Sequence, residues 1–216
     1  VRSRRQRQMC IRDRLDTARA SLTSAITALD ATAATASGTD ADAAGGPIIV
    51  VEPSCAATLR EDAARLLGTE AAARVAGRVR TLAEFLLDSG AELPDLTGVS
   101  AIVQPHCHHS AVMGFAADRE LMRRVGMEVQ VLGGCCGLAG NFGVTEGHYE
   151  VSEAVGEVAL LPAVRAAEPD TVVLADGYSC RTQIGDLTDR RGVHLAELLA
   201  SRLSQDWHTQ CAADRD

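Results

Sequence analysis

Two of the chain's seven cysteines stand side by side in "VLGGCCGLAGNFG", Val131 to Gly143. Adjacent thiols flanked by glycines at the end of an apolar run suit three kinds of chemistry. A disulfide between Cys135 and Cys136 is strained. Their Cα atoms lie about 3.8 Å apart across a trans peptide, whereas a relaxed disulfide prefers about 4.4–6.8 Å. Zinc takes four thiolates tetrahedrally, but zinc ribbons and knuckles use CxxC pairs, and this chain has none. An iron–sulfur cluster is larger and accepts thiolates from neighbouring residues. Gly133, Gly134 and Gly137 suit that third chemistry. They permit positive φ and close approach to an inorganic core, and loop N–H groups can donate to its sulfides.

The elements that must position these thiols repeat one pattern. "IIVVEPSC" leads to Cys55, "AIVQPHC" to Cys107, "EVQVLGGCC" to Cys135 and Cys136, and "TVVLADGYSC" to Cys180. Each short apolar run reads as a buried strand. Helical spacing is expected over Leu15 to about Thr32, Ala56–Leu67, Glu70–Leu87, Ser110–Val125, Tyr149–Ala167 (interrupted by Pro162) and Val193–Leu203. "SGTDADAAGG", Ser37–Gly46, reads as a linker. Strands alternating with helices predict an α/β fold: a mainly parallel sheet in Rossmann-like layers, helices on both faces, and cysteines at the strand C-terminal ends. Open α/β sheets place their sites along that edge. Cys107, Cys135, Cys136 and Cys180 are therefore expected to converge, with Cys55 nearby or one domain over.

Composition narrows the chemistry. The net charge is −8, and no basic face follows the first turns, which excludes a nucleic-acid partner. No apolar run approaches the roughly 18 residues of a membrane span, and no signal-peptide core is visible. The chain reads as cytoplasmic, where disulfides rarely persist and clustered cysteines point to metal or redox chemistry. "GGCCGLAG" does not fit the G-x-G-x-x-G of nucleotide loops. Residues 1–14 carry six arginines and read as non-native. Met9 to Asp13 is encodable by the end of a transposase-based sequencing adapter, so Cys10 is given no function.

"HCHHS", "GGCCGLAGNFG" and "DGYSCRTQI" together resemble the cysteine-rich CCG module. That module occurs in heterodisulfide reductase B-type subunits and in the iron–sulfur parts of glycolate, lactate and glycerol-3-phosphate dehydrogenases. "EPSCAATLRED" and "VRTLAEFLL" are similar to the C-terminal part of FAD-linked oxidases fused to an iron–sulfur oxidoreductase region. The resemblance implies that residues 15–99 are the remnant of a first module closed by Cys55. Residues 100–203 are then a complete second module bearing Cys107, Cys135, Cys136 and Cys180, and 204–216 a tail. It implies an iron–sulfur cluster, [4Fe-4S] or an unusual one with a bridging cysteine, with zinc as the alternative. The family motif often ends in CxxC, and no second cysteine follows Cys180 closely. It further implies FAD in a missing upstream domain or subunit, a small 2-hydroxy acid such as glycolate, D-lactate or 2-hydroxyglutarate, and electron delivery to a quinone or other carrier. Peripheral association with the inner face of a membrane is compatible with this role, and turnover by the fragment alone is not expected. Two rivals stay open: a zinc-stabilised docking module, and a stand-alone heterodisulfide-reductase-B-like subunit acting on thiols.

Around the cysteines, His108 is the foremost candidate to support a thiolate, ahead of His106 and His109. Arg181 is placed to offset the negative charge of a thiolate-bound group, and Gln183 is a weaker candidate of the same kind. Gly134 and Gly137 shape the loop. Asn141 and Phe142 line it, His148 and Tyr149 start the following helix, and His194 is structural. Cys211 lies in the tail and carries no function.

Overall fold

A computed structural model describes residues 15–35 and 45–203. The expectations for the arginine-rich start, Cys10, Cys211 and most of the linker fall outside the described residues.

The first helix, α1 (Leu15–Thr35), buries Ala18, Leu22 and Ile26, a stripe at four-residue spacing. Strand β1 (Ile48–Ile49) leads through Glu52 into α2 (Pro53–Ala57), which opens on a proline where a missing N–H costs nothing. A π-helical turn, Thr58–Asp62, continues into α3 (Ala63–Leu67), closed by Gly68 in the left-handed conformation.

The single helix expected over Glu70–Leu87 is two helices with a strand between them. Thr69 caps α4 (Glu70–Arg78) by accepting from the Ala72 N–H. The chain then straightens into β2 (Val79–Arg80), which pairs in parallel with β1. Thr81 and Glu84 form a reciprocal capping box that starts α5 (Leu82–Ser89). The T-x-x-E pattern is thus a start signal inside an apolar periodicity.

The main sheet has three parallel strands in the order β4 (Glu128–Val131), β3 (Ser100–Val103), β5 (Val172–Leu174). The strand before Cys55 belongs to the separate β1–β2 pair and not to this sheet. Val193 extends the edge through a parallel bridge to Leu174.

Two further expected helices are also broken. Gly114, at φ 81°, separates α6 (Cys107–Val112) from α7 (Ala116–Arg124). Residues 157–159 separate α8 (Tyr149–Gly156) from α9 (Leu160–Ala166). Pro162 does not break that helix. It sits in the first turn of α9, where proline is tolerated. Helix α10 (Tyr178–Leu187) is absent from the sequence expectation, and α11 closes the described chain over 195–203.

Alternation along β5 sorts the core into two layers. Leu174 joins Ala83, Leu121, Met122, Leu195 and Leu199, from α5, α7 and α11. Val173 and Ala175 join Leu160, Leu161, Val164 and Ile184, from α9 and α10. Helices therefore cover both faces of a parallel sheet, as the strand–helix alternation implies. A third cluster packs α1 against α3 and α4 through Leu22, Ile26, Ala63 and Val75.

The capping box also anchors an ion pair. Arg60 grips Glu84 with two hydrogen bonds, at 3.0 and 2.6 Å, and Glu84 accepts the Thr81 N–H at 2.8 Å. Burial works against the Glu84 carboxylate, but Arg60 and the Thr81 N–H outweigh it and hold its pKa below the usual carboxylate range. A depressed folded-state pKa stabilises at neutral pH and is lost as pH falls through it. Glu84→Gln should therefore cost about 1–2 kcal/mol at neutral pH. Thermal unfolding should show the difference shrinking as the pH drops below the carboxylate range.

Candidate metal centre

Register places the site. Val103 of β3 pairs with both Val131 of β4 and Leu174 of β5, so the three strands leave the sheet in one row. Two backbone bonds carry the row past the strand ends: Leu132 N–H to Val103 O, and Gln104 N–H to Leu174 O, each at 2.8 Å. The exits lead to Cys107 at the start of α6, to the Cys135–Cys136 loop, and to Cys180 in the first turn of α10.

The four cysteine side chains are neighbours: Cys107 lies beside Cys135, Cys135 beside Cys136, and Cys136 beside Cys180. Cys107 is exposed and Cys135 half-buried, while Cys136 and Cys180 are 3% and 2% exposed. Cys135 is the member whose pKa is lowered. Hydrogen bonds from Cys107 and Cys136 hold its thiol down to about 2 against the opposing effect of burial, helped by the Gly137 N–H and the charge of His106. The Gly137 N–H to Cys135 Sγ bond measures 3.4 Å. The thiolate at Cys135 in turn pushes up the Cys107 and Cys136 thiols, and burial adds to both shifts. None of Cys55, Cys107, Cys135, Cys136 and Cys180 is in a disulfide.

Among the described residues, no three His, Cys, Asp or Glu side chains form a group already set to hold a metal ion. Four neighbouring thiols are a donor set that a thiolate-bound group could use, zinc or an iron–sulfur cluster alike.

The surrounding candidates divide. His106, ranked below His108 from sequence, is the buried imidazole whose charge reaches Cys135. His108 is half-exposed and offers Cys107 its backbone N–H. His109 lies 3.3 Å from Asp118 and packs edge-on against Phe115. Arg181 turns to the carbonyls of Ala175 and Asp176, at 3.0 and 2.6 Å, and not to a sulfur. His194 is structural. Its Nδ1 accepts from Ala196 N–H, which leaves Nε2–H to donate to Val51 O at 2.8 Å. His148 stacks on Phe142 at 4.2 Å, and its side chain makes no helix cap. Cys55 is half-buried on α2, which packs against the Cys107 helix. Glu52, just ahead of α2, accepts the Tyr178 N–H at the start of the Cys180 helix.

The glycines act in a way the sequence did not suggest. Gly134 and Gly137 have positive φ, at 85° and 92°. Gly133 does not share that conformation and faces open space. Gly137's close approach is to helix α8: a Cβ there would fall 1.9 Å from Ser152 O. Gln183 of α10 binds the same Ser152, its Nε2 donating to Ser152 O and Oγ at 3.3 and 3.2 Å. Gln104, 2% exposed, donates from β3's exit to the Gly134 carbonyl at 3.2 Å. Sequence reading missed both Gln104 and Ser152. The usable signals were a polar residue ending the "AIVQ" run and small residues at Ser152 and Gly156, one helical turn apart.

The chain is similar to oxidoreductases, specifically dehydrogenases and their subunits. It is 28% identical over 166 residues to one subunit of the anaerobic glycerol-3-phosphate dehydrogenase of Escherichia coli, covering 74% of this chain and 41% of that protein. It is 25% identical over 158 residues to the D-2-hydroxyglutarate dehydrogenase of Pseudomonas putida, covering 72% of this chain and 15% of that protein. With the D-2-hydroxyglutarate dehydrogenase of Haemophilus influenzae the identity is 34% over 83 residues, covering 37% and 8%. The chain thus spans well under half of these relatives' lengths. No protein-family model and no solved structure matches it.

Gly137→Ala should be among the most damaging single changes. It combines backbone strain with a 1.9 Å clash and should cost more than about 3 kcal/mol. Gly133→Ala, with nothing within 4 Å of its new Cβ, should change stability by less than about 1 kcal/mol. Thermal unfolding of the two variants checks the contrast.

Proposed function

We propose that this chain is the iron–sulfur electron-transfer domain of a flavin-linked dehydrogenase acting on a small 2-hydroxy acid. The observation that carries the reading is four neighbouring cysteines at one end of a parallel sheet, supplied by three separate strand exits. Its likeness to two kinds of dehydrogenase supports the same class of chemistry.

Cys107, Cys135, Cys136 and Cys180 would hold the cluster, and Cys55 belongs to the adjoining module. When bound, such a cluster accepts and releases single electrons. The chain's own residues set the conditions for that. The Gly137 N–H donates to the Cys135 sulfur, and the charge of His106 favours its thiolate. Leu138, Leu160 and Leu161 keep the Cys136–Cys180 side dry, which strengthens each electrostatic contact there. Cys107 is exposed, so the open end of the row is the side from which electrons enter or leave. The partners on this reading are a flavin domain or subunit and a quinone or other carrier. Among the described residues no helix is long and apolar enough to cross a membrane, so contact with a membrane-held carrier would be peripheral.

Anaerobic reconstitution of the chain tests the reading. Iron and acid-labile sulfide in near-equal amounts, with a visible band bleached by dithionite, are the expected result. Cys135→Ser and Cys136→Ser should each abolish or reshape that band, and Cys211→Ser should leave it intact. One zinc per chain with no iron would overturn the electron-transfer role and favour a docking module.

A further inference from the structure

A second feature lies across one helix from the thiols. The outer face of α10, residues 188–192 and the start of α11 enclose an open groove of about 680 Å³, within the size range of small-molecule sites. Its lining includes three arginines, Arg181, Arg190 and Arg191, together with Asp189 and Glu197.

The three arginines are not equivalent. Arg191 is neutralised by Glu197, Nη2 to Oε2 at 2.8 Å. Among the described residues, Arg181 donates only to the carbonyls of Ala175 and Asp176. Arg190 likewise donates only to the carbonyls of Ala167, Glu168 and Thr171. Both of these side chains are half-buried. Carbonyl oxygens fix a guanidinium in place without cancelling its charge, and a partly desolvated cation lacking a counter-charge is costly. The asymmetry points to an anion. A guanidinium's remaining N–H groups form a planar fork suited to carboxylate or phosphate oxygens.

Two glycines shape the groove. A Cβ at Gly192 would lie 3.0 Å from Arg181 Cγ, so the Arg181 stem occupies the slot that this glycine leaves. A Cβ at Gly185 meets nothing within 4 Å, so the neighbouring wall is open space. Cys180 faces the opposite, buried side of the same helix.

We propose that this groove is a binding site for a small oxyanion ligand, an organic acid bearing carboxylate or phosphate, held by Arg181 and Arg190. The groove lies on the other side of α10 from Cys180 and none of the four thiols lines it.

Isothermal titration of the full chain at fixed ionic strength tests this, with citrate and inorganic phosphate as separate probes. Saturable binding of at least one is expected. Citrate alone marks the site as one for carboxylates, phosphate alone as one for phosphate compounds, and both as a general oxyanion site. Arg181→Gln removes a charged hydrogen bond and should weaken binding about tenfold or more. Gly185→Phe should do the same by filling the groove, with thermal stability maintained because its Cβ enters open space. Absence of saturable binding for both probes would overturn the proposal, as would binding that either variant leaves unchanged.

Discussion

Three strands leaving one sheet side by side is the constraint on which the rest of this structure depends. Cysteines far apart in sequence meet because Val103 pairs with Val131 on one side and Leu174 on the other. Strand pairing has a period of two, so a one-residue slip would invert every side chain on a strand and move its exit. Both faces of the sheet are buried, which penalises any slip. The alignment of the exits is therefore held by the whole core and not by contacts among the sulfurs.

The loop between β4 and α8 is fixed from outside as well. Gln104 holds the Gly134 carbonyl, Gly137 lies against Ser152, and Gln183 binds Ser152 from the helix that carries Cys180. Every element contributing a thiol also contributes to bracing a neighbour. Such a frame holds the loop that carries Cys135 and Cys136 in place from both sides. The open groove on the far side of α10 uses the same helix for a different purpose. Its inner face carries Cys180, and its outer face carries Arg181, whose guanidinium is held by backbone carbonyls.

Much of this was legible in the sequence, for physical reasons. Short apolar runs alternating with helical periodicity give a parallel α/β sheet, and such a sheet puts strand ends on one edge. The approximate meeting of Cys107, Cys135, Cys136 and Cys180 follows from those two facts. The misreadings have a common cause: helical periodicity persists across a break. The apolar positions of α4 and α5 continue one pattern through β2, where only the Thr81–Glu84 capping box shows the division, and those of α8 and α9 continue through residues 157–159, where no side-chain cap marks it. Helix α10 was missed because Tyr178–Leu187 is mostly polar at its start and reads as loop. The role of His106 over His108 was not legible at all, since it depends on which imidazole the first turn of α6 turns inward.

The spread of the thiols along the chain also governs when the centre can assemble. Contacts between distant residues form late, because the intervening chain must be ordered first. A ribosome releases the chain from its N-terminal end, so Cys107 and then Cys135–Cys136 emerge well before Cys180. Until α10 appears, Ser152 lacks Gln183 and the row of sulfurs lacks its last member. During synthesis there is an interval in which Cys107, Cys135 and Cys136 stand in an unfinished fold. Any process that loads or protects the site must either act after that interval or guard the nascent chain through it.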